Sequence, residues 1–120
     1  MAEHNLLGEK GEELAKIYLE NLGYEILALN WRERKFEIDL IAKDNQEIVF
    51  VEVKTRSTSY FGGPEEAVTP KKQQHLIDGA DCYIQKNEID LECRFDVLAI
   101  ILNENTQEVK HFKAAFLPNF

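Results

Sequence analysis

Two carboxylates stand inside apolar runs in the first half of the chain, and these residues are the best suited to chemistry. Asp39 lies in the run Ile38–Ala42, and Glu52 lies in the run Ile48–Val53. An ionised carboxylate among apolar side chains needs a cation or hydrogen-bond donors as partners. Lys54 stands two residues beyond Glu52, so on a strand its side chain projects from the same face. The pattern predicts a charged cluster carried by two strands.

The length of the polar connection between the two runs decides whether the carboxylates meet. A four-residue loop at residues 44–47, built most often around a type I turn, sets Asp39 opposite Glu52. The same register sets Glu37 opposite Lys54. A two-residue loop at residues 44–45 makes the two acids diagonal neighbours, and a three-residue loop puts them on opposite faces. Directly opposed Cβ atoms lie roughly 4.5–5.5 Å apart, close enough for one cation to bridge two carboxylates.

Other short motifs accompany these residues along the chain. They are Gly11-Glu12-x-x-Ala15, Gly23-Tyr24, Asn30-x-Arg32, Glu37–Ala42, Phe50–Lys54 with Arg56, Phe61-Gly62-x-Pro64, Ala67-Val68 and Arg94–Val97. Asp39 with Glu52-Val53-Lys54 is similar to the D…(D/E)-x-K signature of restriction-endonuclease-like nucleases. The whole set resembles the bacterial YraN-like family, which is predicted to be nuclease-related and is similar to archaeal Holliday-junction resolvases. Phe36 departs from that family's pattern, which usually has glycine there.

The resemblance implies a single three-layer α/β domain over residues 1–120, restriction-endonuclease-like, with a mixed central sheet flanked by helices. It also implies a Mg²⁺- or Mn²⁺-dependent endonuclease that acts on structured or branched DNA. Asp39, Glu52 and the backbone carbonyl of Val53 would hold the metal. Lys54 would orient or activate the attacking water, and Glu12 would lie beside the metal as a further catalytic residue.

Two simpler interpretations compete with this one. Glu12 falls in the first turn of a predicted helix, where the helix dipole alone favours an acid. The acids and Lys54 could also form only a buried salt-bridge network, although two acids with one lysine leave excess negative charge. The alternative function is a non-catalytic nucleic-acid-binding or scaffold protein that retains the nuclease fold.

Hydrophobic periodicity and turn residues predict the elements that position these residues. Helices are expected near residues 8–22 and 70–86, and strands near 24–31, 36–43, 47–55 and 95–102. A last edge strand is expected at Glu108–Phe112. The second helix would begin at Thr69-Pro70. The first would carry an apolar stripe made of Leu14, Ala15, Ile17, Tyr18 and Leu22. In the loop of residues 57–69, Tyr60 and Phe61 either stack on a nucleotide or anchor the loop to the core.

Composition limits the functions that this chain can have. It has 120 residues, of which 44% are hydrophobic and 30% charged, with a net charge of −8. No apolar run is long enough for a membrane span, and the polar, acidic N-terminal stretch is not expected to be a signal peptide, so a cytoplasmic protein is expected. Cys82 and Cys93 lack metal-site spacing and are expected to be reduced thiols.

The acidic balance opposes tight binding to a polyanion. Residues 30–72 are nevertheless neutral, with eight basic and eight acidic side chains. Arg32, Arg56, Lys71 and Lys72 are the candidates for contacts to DNA, although a solvated face explains the two lysines equally well. Weak binding, or binding assisted by a homodimer or a partner protein, is therefore expected.

Overall fold

The computed structural model describes residues 2–58 and 68–118, with side chains from residue 6 onward. In that part of the chain the helices are α1 (Ala2–Asn21) and α2 (Pro70–Lys86). The strands are β1 (Glu25–Glu33), β2 (Phe36–Asp44), β3 (Glu47–Arg56), β4 (Glu92–Leu102) and β5 (Gln107–Phe116). They form the predicted three-layer α/β domain, a sheet with a helix packed on each face. No helix in the described ranges is long and apolar enough to cross a membrane.

The five strands form one mixed sheet in the order β1-β2-β3-β4-β5. Neighbouring strands are antiparallel except β3 and β4, which are parallel. A parallel pair needs a crossover connection, and the segment that contains α2 supplies it. β5 forms the edge beyond β4, as predicted, but it is longer than the predicted five residues.

The turn between β2 and β3 is shorter than predicted. Asp44 pairs with Glu47, so only Asn45 and Gln46 remain in the turn. Asn45 has a φ of 56°, a left-handed conformation that asparagine tolerates better than most residues. Lys43 still pairs with Ile48, so the register is the one expected for the longer loop.

Each face of the sheet has its own apolar core. On one face, α1 packs through Ala15 and Leu19 against a cluster that contains Val49 and Val51. On the other face, α2 packs through Leu76 and Ala80 against a cluster that contains Phe50. Successive residues of β3 therefore bury their side chains against different helices, as the period of a strand requires.

The buried face of α1 is narrower than the predicted stripe. Ala15 and Leu19 are fully buried, whereas Ile17 is 45% and Leu22 49% exposed. Ile17 follows Ala15 by two residues, so it lies about 200° further round the helix and faces away from the sheet. The expectation that Ile17 and Leu22 belong to the buried stripe was wrong.

The start of α2 agrees with the sequence pattern. The Thr69 hydroxyl accepts a hydrogen bond from the Lys72 backbone amide at 3.2 Å, and Pro70 occupies the first helical position. Both features favour helix initiation at this point. In the first turn of α2, Lys72 reaches Glu52 of β3.

Candidate functional site

A gap between β2 and β3 forms the centre of the candidate site. The pairing of these strands runs from the turn to Leu40 and Val51 and then stops, although β2 extends back to Phe36 and β3 on to Arg56. Beyond that point β2 is paired with β1, and β3 is paired with β4. Unpaired backbone groups between two strands must find other partners.

Asp39 supplies such a partner with its side chain. Its Oδ2 atom accepts a hydrogen bond from the backbone amide of Val53 at 2.9 Å. This bond bridges the gap and fixes the carboxylate of β2 against the backbone of β3. The side chain of Asp39 therefore lies beside the second carboxylate, as the predicted register requires.

Glu52 is buried next to Asp39. The residue is only 4% exposed. Burial and the negative charge of Asp39 raise the pKa of Glu52 to about 8. Two carboxylates that share a site repel each other when both are ionised. A proton or a cation between them relieves that repulsion.

Two lysines flank Glu52 from different elements. Lys54 Nζ lies 3.7 Å from Glu52 Oε2, and Lys72 Nζ lies 3.9 Å from the same oxygen. Lys54 comes from β3, as predicted, whereas Lys72 comes from the first turn of α2. The positive charges of both lysines oppose the rise in the pKa of Glu52. With Lys72 included, the two acids and two lysines are balanced in charge.

Glu12 approaches the site from the α1 side. Its neighbour Gly11 lies against β3 so closely that a Cβ atom at Gly11 would overlap the side chain of Thr55. Burial raises the pKa of Glu12, a hydrogen bond from Asn30 opposes the rise, and the negative charge of Asp39 adds to it. Within the described ranges, no group of three His, Cys, Asp or Glu residues is arranged to hold a metal ion. Because α1 begins at Ala2, Glu12 lies in the middle of the helix, and the prediction that it lies in the first turn was wrong.

The other predicted site residues are more scattered. Arg32 is paired with Glu37 at 3.1 Å across β1 and β2, so the predicted pairing of Glu37 with Lys54 was wrong. The cause is the gap, because β2 is not paired with β3 at the position of Glu37 and is paired there only with β1. Lys71 is exposed in the first turn of α2, and Arg56 is exposed at the end of β3. Tyr60 and Phe61 lie outside the described residues.

Asn30 is a site residue to which the sequence patterns gave no role. Its backbone has a φ of 50°, and its side chain donates a hydrogen bond to Glu12. It belongs to the motif Asn30-x-Arg32, which was the available signal. Asparagine is among the few residues that adopt left-handed φ values readily. It therefore suits the backbone conformation at this position, and its amide can donate to the Glu12 carboxylate.

A second polar cluster, also without a predicted role, lies around β4 on the α1 side. Arg94 donates hydrogen bonds to Asp96 at 2.8 and 3.0 Å and ion-pairs with Asp44 and Glu47. The carboxylate of Asp96, which is fully buried, also contacts His111 Nε2 at 2.7 Å. Burial alone would raise the pKa of Asp96, but hydrogen bonds from His111, Arg94 and the backbone of Ala114 lower it. The cluster is internally satisfied and is not part of the Asp39–Glu52 site.

The chain is similar to a group of bacterial proteins along nearly its whole length. The model of the uncharacterised protein family UPF0102 matches residues 11–100. A UPF0102 protein of Christiangramia forsetii is 49% identical over 116 residues, which cover 97% of this chain and 98% of the relative. The UPF0102 proteins BF0634 of Bacteroides fragilis and FP2501 of Flavobacterium psychrophilum are 46% and 45% identical, and each match covers 98% of the relative.

Proposed function

The chain belongs to the UPF0102 family, the YraN-like family that its motifs indicated, and we propose that it is a divalent-metal-dependent endonuclease. Its substrate would be structured or branched DNA, processed inside the cell during recombination, repair or related steps. The observation that carries the proposal is the pair of neighbouring carboxylates, Asp39 and Glu52, at the gap between β2 and β3. The likeness of their motif to restriction-endonuclease-like nucleases supports the reaction class.

The donor set at the gap suits Mg²⁺ or Mn²⁺. These hard cations take oxygen ligands, and Mg²⁺ usually keeps several waters while it binds one or two carboxylates. Asp39 and Glu52 would therefore suffice as side-chain ligands, with the Val53 carbonyl as the third ligand that the family resemblance implies. When bound, the ion polarises a phosphoryl oxygen and makes a water more acidic.

The side chains of the protein have separate roles in this proposal. Glu52, with a pKa of about 8, must release its proton to become a ligand, because ligating carboxylates are deprotonated. Asp39 keeps its orientation through the Val53 amide. The ammonium of Lys54 lies beside Glu52, where it can orient the attacking water and stabilise charge that develops on the phosphate. Glu12 adds a carboxylate from the α1 side of the sheet, where Asn30 is its hydrogen-bond partner.

A cleavage assay tests this function. Labelled four-way junctions, forks, duplexes and single strands would be incubated with the purified chain and Mg²⁺, Mn²⁺ or EDTA. We expect metal-dependent cleavage that D39A, E52A and K54A each reduce by about 100-fold or more, the scale for removing one electrostatic contact in an active site. Matched controls are E104A and K113A, two exposed side chains of the β4–β5 hairpin. Unchanged cleavage by E52A protein would assign the activity to another site or a contaminant.

A second candidate function is a nucleic-acid-binding or scaffold protein without catalysis. The charge balance of the site favours it, because Lys54 and Lys72 can neutralise Asp39 and Glu52 without any metal. The net charge of −8, which argues against tight autonomous binding to DNA, favours the scaffold role over the nucleic-acid-binding role. This candidate predicts no cleavage of any of the four DNA structures with either metal.

A further inference from the structure

The two sides of the sheet differ in charge around the carboxylate pair. On the α1 side, a hollow of about 280 Å³ is lined by Glu9, Glu12 and Glu13 together with one lysine, Lys16. On the α2 side, Lys54 and Lys72 lie against Glu52, and Lys71 is exposed in the same helical turn as Lys72. A polyanion approaching the pair is repelled on the first side and attracted on the second.

Lys72 connects the buried carboxylate to the surface. Its backbone amide donates to the Thr69 hydroxyl, so the ammonium, not the amide, is available to a ligand. The side chain of Lys72 is 38% exposed, whereas that of Glu52 is 5% exposed. Lysine is a flexible point charge, so the ammonium of Lys72 can turn from Glu52 towards a ligand. Glu52 then keeps Lys54 as a partner, at 3.7 Å.

We propose that Lys72 is a phosphate-binding residue of this site. In the free protein its ammonium lies 3.9 Å from the Glu52 carboxyl oxygen, and it transfers to a backbone phosphate when a nucleic acid enters over the α2 side. This inference rests on the proposed function, since it takes the carboxylate pair as the reaction centre. It adds that the nucleic acid enters over the α2 side and that Lys72 contacts its phosphate.

The salt dependence of DNA binding measures this contact directly. The probe is a fluorescein-labelled four-way DNA junction, titrated with the chain at several NaCl concentrations in EDTA so that no cleavage occurs. Losing one lysine–phosphate contact reduces the slope of log K against log[salt] by about 1. We expect that reduction for K72Q, little change for K72R, and no change for K16Q, the matched control in the α1 hollow.

A second series separates phosphate binding from simple neutralisation of Glu52. If Lys72 acts only by pairing with Glu52, K72Q has no effect once E52Q has removed that charge. We expect the same loss of slope in the E52Q/K72Q protein relative to E52Q. Loss of the effect in that background overturns the inference, as does an equal loss with K16Q.

The outcomes also distinguish this inference from the function on which it rests. A chain that cleaves DNA but shows an unchanged slope with K72Q keeps the proposed function and loses the inference. A chain that neither binds the junction nor cleaves any of the four DNA structures overturns both.

Discussion

Glu52 is almost fully buried, yet it lies between a second carboxylate and two lysines. Burial and the charge of Asp39 prevail over the lysines, which is why the pKa of Glu52 is raised to about 8. Glu52 therefore differs from the buried Asp96, whose pKa is lowered by its hydrogen-bond partners.

The raised pKa of Glu52 makes the stability of the free protein depend on pH. Between the ordinary glutamate pKa of 4.5 and the raised pKa of about 8, the folded state binds more protons at this residue than the unfolded state does. Its contribution to stability is therefore complete below pH 4.5 and is lost as the pH rises towards 8. A tenfold difference in proton affinity between the two states corresponds to about 1.4 kcal/mol of unfolding free energy.

Urea unfolding of the original protein and E52Q at pH 5, 7 and 9 checks this dependence. As the pH rises, the free energy of unfolding of the original protein should fall relative to that of E52Q, because glutamine has no proton to lose. E104Q, an exposed acid on the hairpin between β4 and β5, serves as the control. Parallel pH profiles for E52Q and the original protein would contradict the raised pKa.

At this scale the sequence identified three of the four charged groups of the site. Asp39, Glu52 and Lys54 were recognisable because a carboxylate inside an apolar run needs a partner, and the period of a strand places Lys54 beside Glu52. Lys72 was expected only to contact DNA. Its ion pair with Glu52 depends on how α2 packs on the sheet, which no local pattern encodes.

The contact between α1 and β3 positions Glu12. Gly11 lies so close to Thr55 that a Cβ atom at Gly11 would come within 2.8 Å of the Thr55 Cβ. Gly8, three residues earlier in the same helix, has nothing within 4 Å of such an atom. The two glycines therefore provide a matched pair that separates close packing from helix propensity.

We expect G11A and G8A to shift stability in opposite directions. Overpacking in a closely packed region typically costs about 1–3 kcal/mol, so G11A should destabilise the fold and displace Glu12 from Asp39. G8A should stabilise it by up to about 1 kcal/mol, because alanine favours the helix. Thermal unfolding of both variants measures the difference. Equal effects of G8A and G11A would contradict the close approach of α1 to β3.

The elements themselves were largely predictable, and their irregularities were not. Alternating apolar residues and the Thr69-Pro70 start gave the strands and α2, and the register of β2 and β3 was correct. The two-residue turn depends on Asn45 in a left-handed conformation. At the gap beyond Leu40, the Asp39 side chain takes the place of a backbone hydrogen-bond partner. A side chain in that role does not change the hydrophobic periodicity of the strand, so the sequence pattern does not reveal it.

At the scale of the whole molecule, two polar systems occupy different parts of the sheet. The Arg94–Asp96 cluster joins β4 to the β2–β3 turn through Asp44 and Glu47, and to β5 through His111. The described part of the chain has no buried side-chain nitrogen or oxygen without a hydrogen-bond partner. The Asp39–Glu52 site differs from that cluster, because two carboxylates lie side by side in it and the pKa of Glu52 is raised.

Metal-linked stability tests the carboxylate pair as a cation site without requiring knowledge of the substrate. A ligand that binds only the folded state stabilises it by RT ln(1 + [L]/Kd), about 2.7 kcal/mol at a hundredfold excess over Kd. That gain raises the melting temperature of a domain of this size by several degrees. D39N removes one ligand charge while its amide oxygen can still accept from the Val53 amide.

The deciding measurement is a melting series with and without Mg²⁺, at constant ionic strength and at about pH 9, above the pKa of Glu52. We predict that Mg²⁺ stabilises the original protein. We also predict that D39N is more stable than the original without metal, because the repulsion between the carboxylates is gone, and that it no longer responds to Mg²⁺. An original protein that does not respond to Mg²⁺, together with a destabilised D39N, would show that these residues form only a structural salt-bridge network.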